Sequence, residues 1–203
     1  MAFLRSGLGS ELPIVRGKGL FLRPPLMGDY AAWAELRARS RDHLAPWEPQ
    51  WARDELTRDA FRRRIRHYQR ELREDLGYAF FLFRDTDETL LGGLTISNVR
   101  RGVTQAAAVG YWIGLPHIRR GHMSNAVKAA IRFSFEDLKL HRLEAACMPN
   151  NMASMRVLEN NGFQREGLAR RYLKIDGVWQ DHVLFATIVE DTREAARRIG
   201  TYI

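Results

Sequence analysis

The chain has 203 residues, 45% of them hydrophobic, with 32 Lys and Arg against 24 Asp and Glu for a net charge of +8. That is the size and composition of one globular domain with its own core. No run approaches the roughly 20 apolar residues of a membrane span, and residues 1–10 lack the apolar centre and cleavage site of a signal peptide. The one cysteine, Cys147, excludes an internal disulfide and fits a cytoplasmic setting, and no Cys/His cluster has metal-ligand spacing, so no metal is expected.

Residues 1–17 read as a poorly structured lead-in, 18–190 as the folded domain and 191–203 as a helical tail. Leu20–Arg23 is a short predicted strand stopped by Pro24-Pro25, because proline has no N–H for the ladder. Asp29 can cap a helix to about Arg39, with Tyr30, Trp33 and Leu36 on one face. In Leu44-Ala45-Pro46-Trp47-Glu48-Pro49-Gln50-Trp51 two prolines rule out a regular helix, and two tryptophans in a loop read as the wall of a slot. From about Thr57 to Arg73, Phe61, Ile65, Tyr68 and Leu72 fall at i, i+4, i+7 and i+11, an apolar helical stripe. Arg62, Arg63, Arg64, Arg66, Arg70 and Arg73 on its other faces read as a solvated surface, with an RNA-binding patch as the competing reading.

Strands follow at Tyr78–Phe83, Leu90–Ser97 and Ala107–Gly114, then a helix from about Gly121 to Leu138. Arg142–Met148 is a strand and Ala153–Asn161 a helix ending at Gly162. Strands Gly167–Ile175 and Asp181–Val189 flank Asp176-Gly177, a strong hairpin signal, and Glu190–Arg198 is a short polar helix. The result is an α/β domain with an antiparallel meander, one strand–helix–strand crossover and a closing hairpin.

The chemistry concentrates where the strand Ala107–Gly114 ends and Ile118-Arg119-Arg120-Gly121-His122-Met123 leads into the long helix. The first amides of a helix lack partners and the macrodipole makes that end positive, so an anion, above all a pyrophosphate, fits there. Gly121 permits close backbone approach, and Arg119 and Arg120 add charge. A plain strand–loop–helix join with solvated arginines would read the same way.

This segment resembles the acetyl-CoA motif of the GCN5-related N-acetyltransferases (GNAT), whose pattern is Q/R-x-x-G-x-G/A. Ile118, Arg119 and Met123 depart from the pattern and Gly121 keeps it. Asn150-Asn151-Met152-Ala153-Ser154, followed by Gly162-Phe163, is similar to the Asn-x-x-Ser…Gly-Phe segment of the same superfamily. Leu44–Pro49 and Ile175–Leu184, with Trp179-Gln180-Asp181-His182, resemble its RimJ branch, the ribosomal-protein-alanine N-acetyltransferases. The resemblance covers roughly residues 15–190 and implies the acyl-CoA N-acyltransferase fold, a mixed, mostly antiparallel central sheet flanked by helices.

It also implies roles. Acetyl-CoA is the expected acetyl donor, held by Tyr111, Trp112 and Ile113 through their backbone, by Arg119, Arg120, Gly121, His122, Met123 and Ser124 at the turn, and by Asn151, Ser154 and Arg156. Ser154 is placed by the resemblance near the cofactor sulfur, where a hydroxyl can donate to the thiolate; a helix cap is the alternative for both Ser154 and Asn151. Glu48 is the first candidate for the base, with Asp181 and His182 next, and Trp47, Trp51, Tyr172 and Trp179 are candidates for the acceptor wall. Each of these is also an ordinary structural residue in many folds.

Three functions follow: acetylation of the N-terminal α-amine of a ribosomal protein, acetylation of a small amine such as an aminoglycoside or polyamine, or a non-catalytic ribosome- or RNA-binding module. Only Lys18, Lys128, Lys139 and Lys174 are lysines, so the positive charge is nearly all arginine. A genome rich in G and C explains that excess, as does a phosphate-rich partner such as a ribosome or RNA surface.

Overall fold

The computed structural model describes residues 12–192. Val15–Gly17 (β1) and Leu20–Arg23 (β2) pair across a Lys18-Gly19 turn, with Gly19 in the left-handed region at φ 72°. β1 falls inside the segment expected to be poorly structured. Three residues are too few to show a period of two, and the pairing with β2 supplies what the pattern lacks.

Tyr30–Arg39 (α1) and Arg41–Leu44 (α2) lead to a single tight turn at Ala45–Trp47, where Pro46 is accommodated. Arg58–Glu74 (α3) is capped by Thr57, whose Oγ1 accepts from the Ala60 N–H at 3.2 Å. The strands Tyr78–Arg84 (β3), Leu90–Arg100 (β4) and Ala106–Ile113 (β5) form the meander. His122–Arg132 (α4) then crosses over to Arg142–Cys147 (β6), followed by Met152–Glu159 (α5) and the hairpin Gln164–Ile175 (β7) and Val178–Ile188 (β8).

The sheet has eight strands in the order β1-β2-β3-β4-β5-β6-β8-β7, antiparallel throughout except for β5 with β6. The period of two in β3 divides the core. Tyr78, Phe80 and Leu82 join α4 residues such as Ala126, Val127 and Ala130 on one face. Phe81 and Phe83 join Trp33 and Leu36 of α1 and Phe61 and Ile65 of α3 on the other. Burying a side chain such as Phe61, fully shielded here, stabilises by about 1.5–3 kcal/mol.

The long helix read as continuous to Leu138 changes pitch instead. Phe133–Asp137 is a wider π turn that buries both Phe133 and Phe135. Residues 193–203 of the expected tail lie outside the described residues. On α3, Arg62 pairs with Asp59, Arg63 with Asp54 and Arg64 with Glu55, so these arginines are matched by nearby acids. No helix among the described residues is long and apolar enough to cross a membrane.

One feature of the sheet positions the site. β5 and β6 pair only at Ala106–Ala108 with Arg142–Glu144. Beyond Ala108, β5 continues to Ile113 bonded to β4 alone, while β6 continues to Cys147 bonded to β8. The strands part, and the β5 backbone on that side has no strand to bond.

Candidate active site

The turn after β5 is anchored before it reaches α4. The Leu115 N–H donates to Oγ of the fully buried Ser40 at 2.9 Å, and the His117 N–H to the Gly114 carbonyl at 2.8 Å. Arg119 and Gly121 then adopt left-handed φ values of 59° and 75°, and α4 starts at His122. The first helical bond runs from the Asn125 N–H to the Gly121 carbonyl at 3.0 Å. The amides of His122, Met123 and Ser124 therefore precede the helical ladder. Arg119 and Arg120 are exposed, whereas the Met123 side chain is buried, so Met123 offers only its amide here. Burial, with help from Arg84, His122, Arg120 and Arg39, lowers His117 below the ordinary histidine value, and burial with Arg84 and Arg120 lowers His122.

Where β5 and β6 have parted, three side chains meet. The Tyr111 hydroxyl is 2.9 Å from Ser154 Oγ. The Ser154 N–H donates to Asn151 Oδ1 at 3.0 Å, so Asn151 caps α5. Burial pushes the thiol of Cys147, at the end of β6, up to about 11. Arg156 is exposed beyond them, and Ser124 Oγ accepts from Asn161 Nδ2 at 2.9 Å, tying α4 to the end of α5.

A cavity of about 430 Å³ opens on the other side of Tyr111, lined in part by Arg37, Glu48, Trp51, Tyr111 and Trp112. Its lining includes an ion pair. The Arg37 guanidinium donates through both terminal nitrogens to the two Glu48 oxygens at 2.7 Å each, and Trp51 Nε1–H donates to Glu48 Oε2 at 2.8 Å. The guanidinium lies 4.3 Å from the Trp51 ring centre and 5.0 Å from that of Trp112. Gly93 makes room for Trp112: a Cβ there would stand 2.4 Å from the indole nitrogen.

Arg37 was absent from the sequence-based site. Its signal was its place on the buried face of α1, four residues after Trp33 and next to Leu36, where an arginine needs a partner. The partner is eleven residues away in a loop, beyond the reach of helical periodicity.

The two loop stretches singled out from sequence touch. The Asp176 N–H at the β7–β8 turn donates to the Glu48 carbonyl at 2.9 Å. Of the expected acceptor residues, Glu48 and Trp51 line the cavity. Trp47 is half-buried beside it, and Tyr172 and Trp179 are exposed on the hairpin. His182 is buried with Nδ1 3.0 Å from the Gln180 carbonyl, and Asp181 accepts the Arg171 N–H at 2.8 Å within the hairpin. Among the described residues no group of His, Cys, Asp and Glu could hold a metal ion.

A family model described as the acetyltransferase (GNAT) domain matches residues 19–164. The chain belongs to the GNAT acetyltransferases. This GNAT protein is 37% identical over 181 residues to the probable N-acetyltransferase YjcK of Bacillus subtilis, covering 89% of this chain and all of the relative. It is 35% identical over 187 residues to the ribosomal protein uS5-alanine N-acetyltransferase of Escherichia coli, covering 91% and 96%. Among solved structures, RimJ of Mycobacterium smegmatis in complex with CoA-disulfide superposes with a TM-score of 0.81 at 33% identity, covering 89% of this chain and 88% of that one. The S5-alanine acetyltransferase of Vibrio fischeri gives 0.81 at 31%, covering 88% and 98%. The GNAT protein described here is an acetyl-CoA-dependent N-acetyltransferase with the open, mostly antiparallel sheet expected of it.

Its own residues fit that donor. A free β5 edge suits the amides of a pantetheine arm, and unpartnered amides at a left-handed glycine suit a pyrophosphate. The three departures from the family's turn pattern leave those amides in place.

Proposed function

We propose that this enzyme acetylates the N-terminal α-amine of a ribosomal protein, with alanine as the acceptor residue. The observation that carries the reading is the contact between Glu48 and Asp176. It ties together the two stretches that resemble the RimJ branch, the first of which lines the cavity through Glu48 and Trp51. The relatives named for alanine acetylation of ribosomal proteins align over nine-tenths of the chain.

Acetyl-CoA supplies a thioester whose carbonyl the acceptor amine attacks directly. An α-amine with a pKa near 8 is partly neutral at neutral pH, roughly two units ahead of a lysine, so a strong base is not required. Three of the roughly four acceptor positions of Glu48 are taken by Arg37 and Trp51. The remaining one receives an N–H of the acceptor and aims its lone pair, and the proton leaves to solvent. On the donor side, the amides of His122, Met123 and Ser124, with Arg119 and Arg120, hold the pyrophosphate, and Arg156 adds charge. The Tyr111–Ile113 backbone and Asn151 hold the pantetheine arm, and Ser154 donates to the leaving sulfur. Trp51 and Trp112 exclude water from the acceptor end, while Trp47, Tyr172 and Trp179 form its outer rim.

A polyamine or aminoglycoside would require surplus negative charge. In the cavity Glu48 is matched by Arg37 and Glu55 by Arg64. The experiment is acetyl transfer to a peptide with an N-terminal alanine, set beside spermidine and an aminoglycoside, read by mass spectrometry. Acetylation of the peptide at its α-amine is expected; acetylation of the small amines alone overturns the proposal.

A further inference from the structure

Ser154 has one hydroxyl hydrogen to give and two lone pairs to fill. The Tyr111 hydroxyl is 2.9 Å from its Oγ and 3.3 Å from its carbonyl oxygen, so the shorter contact is to the side chain. Cys147 ends the neighbouring strand β6. Burial pushes the Tyr111 phenol well above its ordinary value and the Cys147 thiol up to about 11, so both keep their hydrogens at neutral pH. The protonated Tyr111 hydroxyl of β5 thus meets the serine oxygen of α5 at hydrogen-bond distance. When the Tyr111 O–H fills a lone pair of that oxygen, the Ser154 hydrogen is left for another partner.

We infer that the Tyr111 side chain is a positioning residue that fixes Ser154 as a hydrogen-bond donor to the sulfur of CoA. This rests on the reading of Ser154 as the thiolate's partner. A thiol that ionises near 8.5 is a stronger acid than either hydroxyl, so neither Tyr111 nor Ser154 surrenders its proton. The electron pair of the broken C–S bond stays on sulfur, and the Ser154 hydrogen stabilises it, as an oxyanion hole stabilises a developing charge. The proton lost by the acceptor amine goes to solvent.

Free CoA bound to the intact protein gives a readout that needs no acceptor: the ultraviolet absorbance of its thiolate, followed against pH. Cys147, ionising near 11, is silent over the range in which CoA titrates. The bound thiol should ionise at lower pH than free CoA. Tyr111→Phe, which keeps the ring and its packing, should weaken that ionisation about tenfold, or one pH unit. Ser154→Ala should weaken it at least as much, and the double variant no more than Ser154→Ala alone. In acetyl transfer, Tyr111→Phe should lower kcat about tenfold at an unchanged KM for acetyl-CoA. If Ser154→Ala leaves bound CoA unaltered, the reading of Ser154 fails and this inference with it. If Ser154→Ala shifts the titration and Tyr111→Phe does not, or if the two effects add, the Ser154 reading stands and the role of Tyr111 is overturned.

Discussion

The proposed donor side of the site is built largely from main chain, and the proposed acceptor side from side chains. On the donor side, Ile118, Arg119 and Met123 all differ from the family's pattern. Gly121 still turns at φ 75°, α4 still starts at His122, and the amides still precede the helical ladder. On the acceptor side, Arg37, Glu48 and Trp51 each contribute particular atoms to one network. A backbone site tolerates sequence drift because any residue brings an N–H. A side-chain network does not, because each member leaves another unpaired when it is lost.

The sharpest way to break that contrast is Arg37→Ala. The Arg37 side chain is 5% exposed and that of Glu48 20%, so the change strands a largely buried carboxylate and opens the Trp51–Trp112 sandwich. Urea denaturation should show a loss of about 3–5 kcal/mol, with acetyl transfer falling to background. A loss under 1 kcal/mol would mean that the network is dispensable and the two sides alike.

Gly93→Ala tests the same side without touching charge. The new Cβ must push the Trp112 ring aside, at about 1–3 kcal/mol. The KM for the acceptor should rise while the calorimetric affinity for acetyl-CoA stays within about twofold, since no donor contact moves.

Arg119→Gly probes the donor side. It relieves a left-handed arginine at φ 59°, and thermal unfolding should show a gain of up to about 1 kcal/mol. Acetyl-CoA should bind about threefold more weakly at low salt and equally well at high salt, because only screened charge is lost. A large, salt-independent loss would make Arg119 a side-chain ligand and blur the contrast.

The smallest effect is that of pH. His117 and His122 are lowered by burial and by neighbouring arginines, so the unfolded chain binds protons that the folded one does not near their ordinary value of about 6.5. Stability should be full above about pH 6.5 and decline as pH falls through the ordinary value toward the folded ones. A pyrophosphate at the α4 turn favours protonation, so acetyl-CoA should bind more tightly at about pH 6 than at about pH 7.5. Calorimetry in buffers of different ionisation enthalpy should then detect proton uptake on binding.

Most of the sheet was legible because β3, β4, β6 and β8 carry apolar runs or alternation bounded by turn residues, and the Asp176-Gly177 hairpin announces itself. The strand–turn–helix join into α4 was legible, as was a cap for α5 at Asn151. Three things were not. β1 is too short to carry a pattern. The π turn at Phe133–Asp137 keeps an apolar spacing that also suits an ordinary helix. The Arg37–Glu48 pair is a tertiary contact between a helix and a loop, and a single sequence states no such pairings. Glu48 was therefore visible as a carboxylate in a tryptophan loop, and its tether was not.

The three register pairs between β5 and β6 are all the ladder that joins one part of the sheet to the other. Mechanically this is two plates on a short hinge, with the Tyr111–Ser154 contact as a light latch across the open side. A molecule lying along the β5 edge and under the α5 turn would act as a splint, touching both plates at once. Such a splint would add coupling where the ladder is short, beside the core that the two plates share under α4. Amides of β6 and β8 would then exchange hydrogen in concert with those of β5 when the splint is present, and as a separate unit when it is gone.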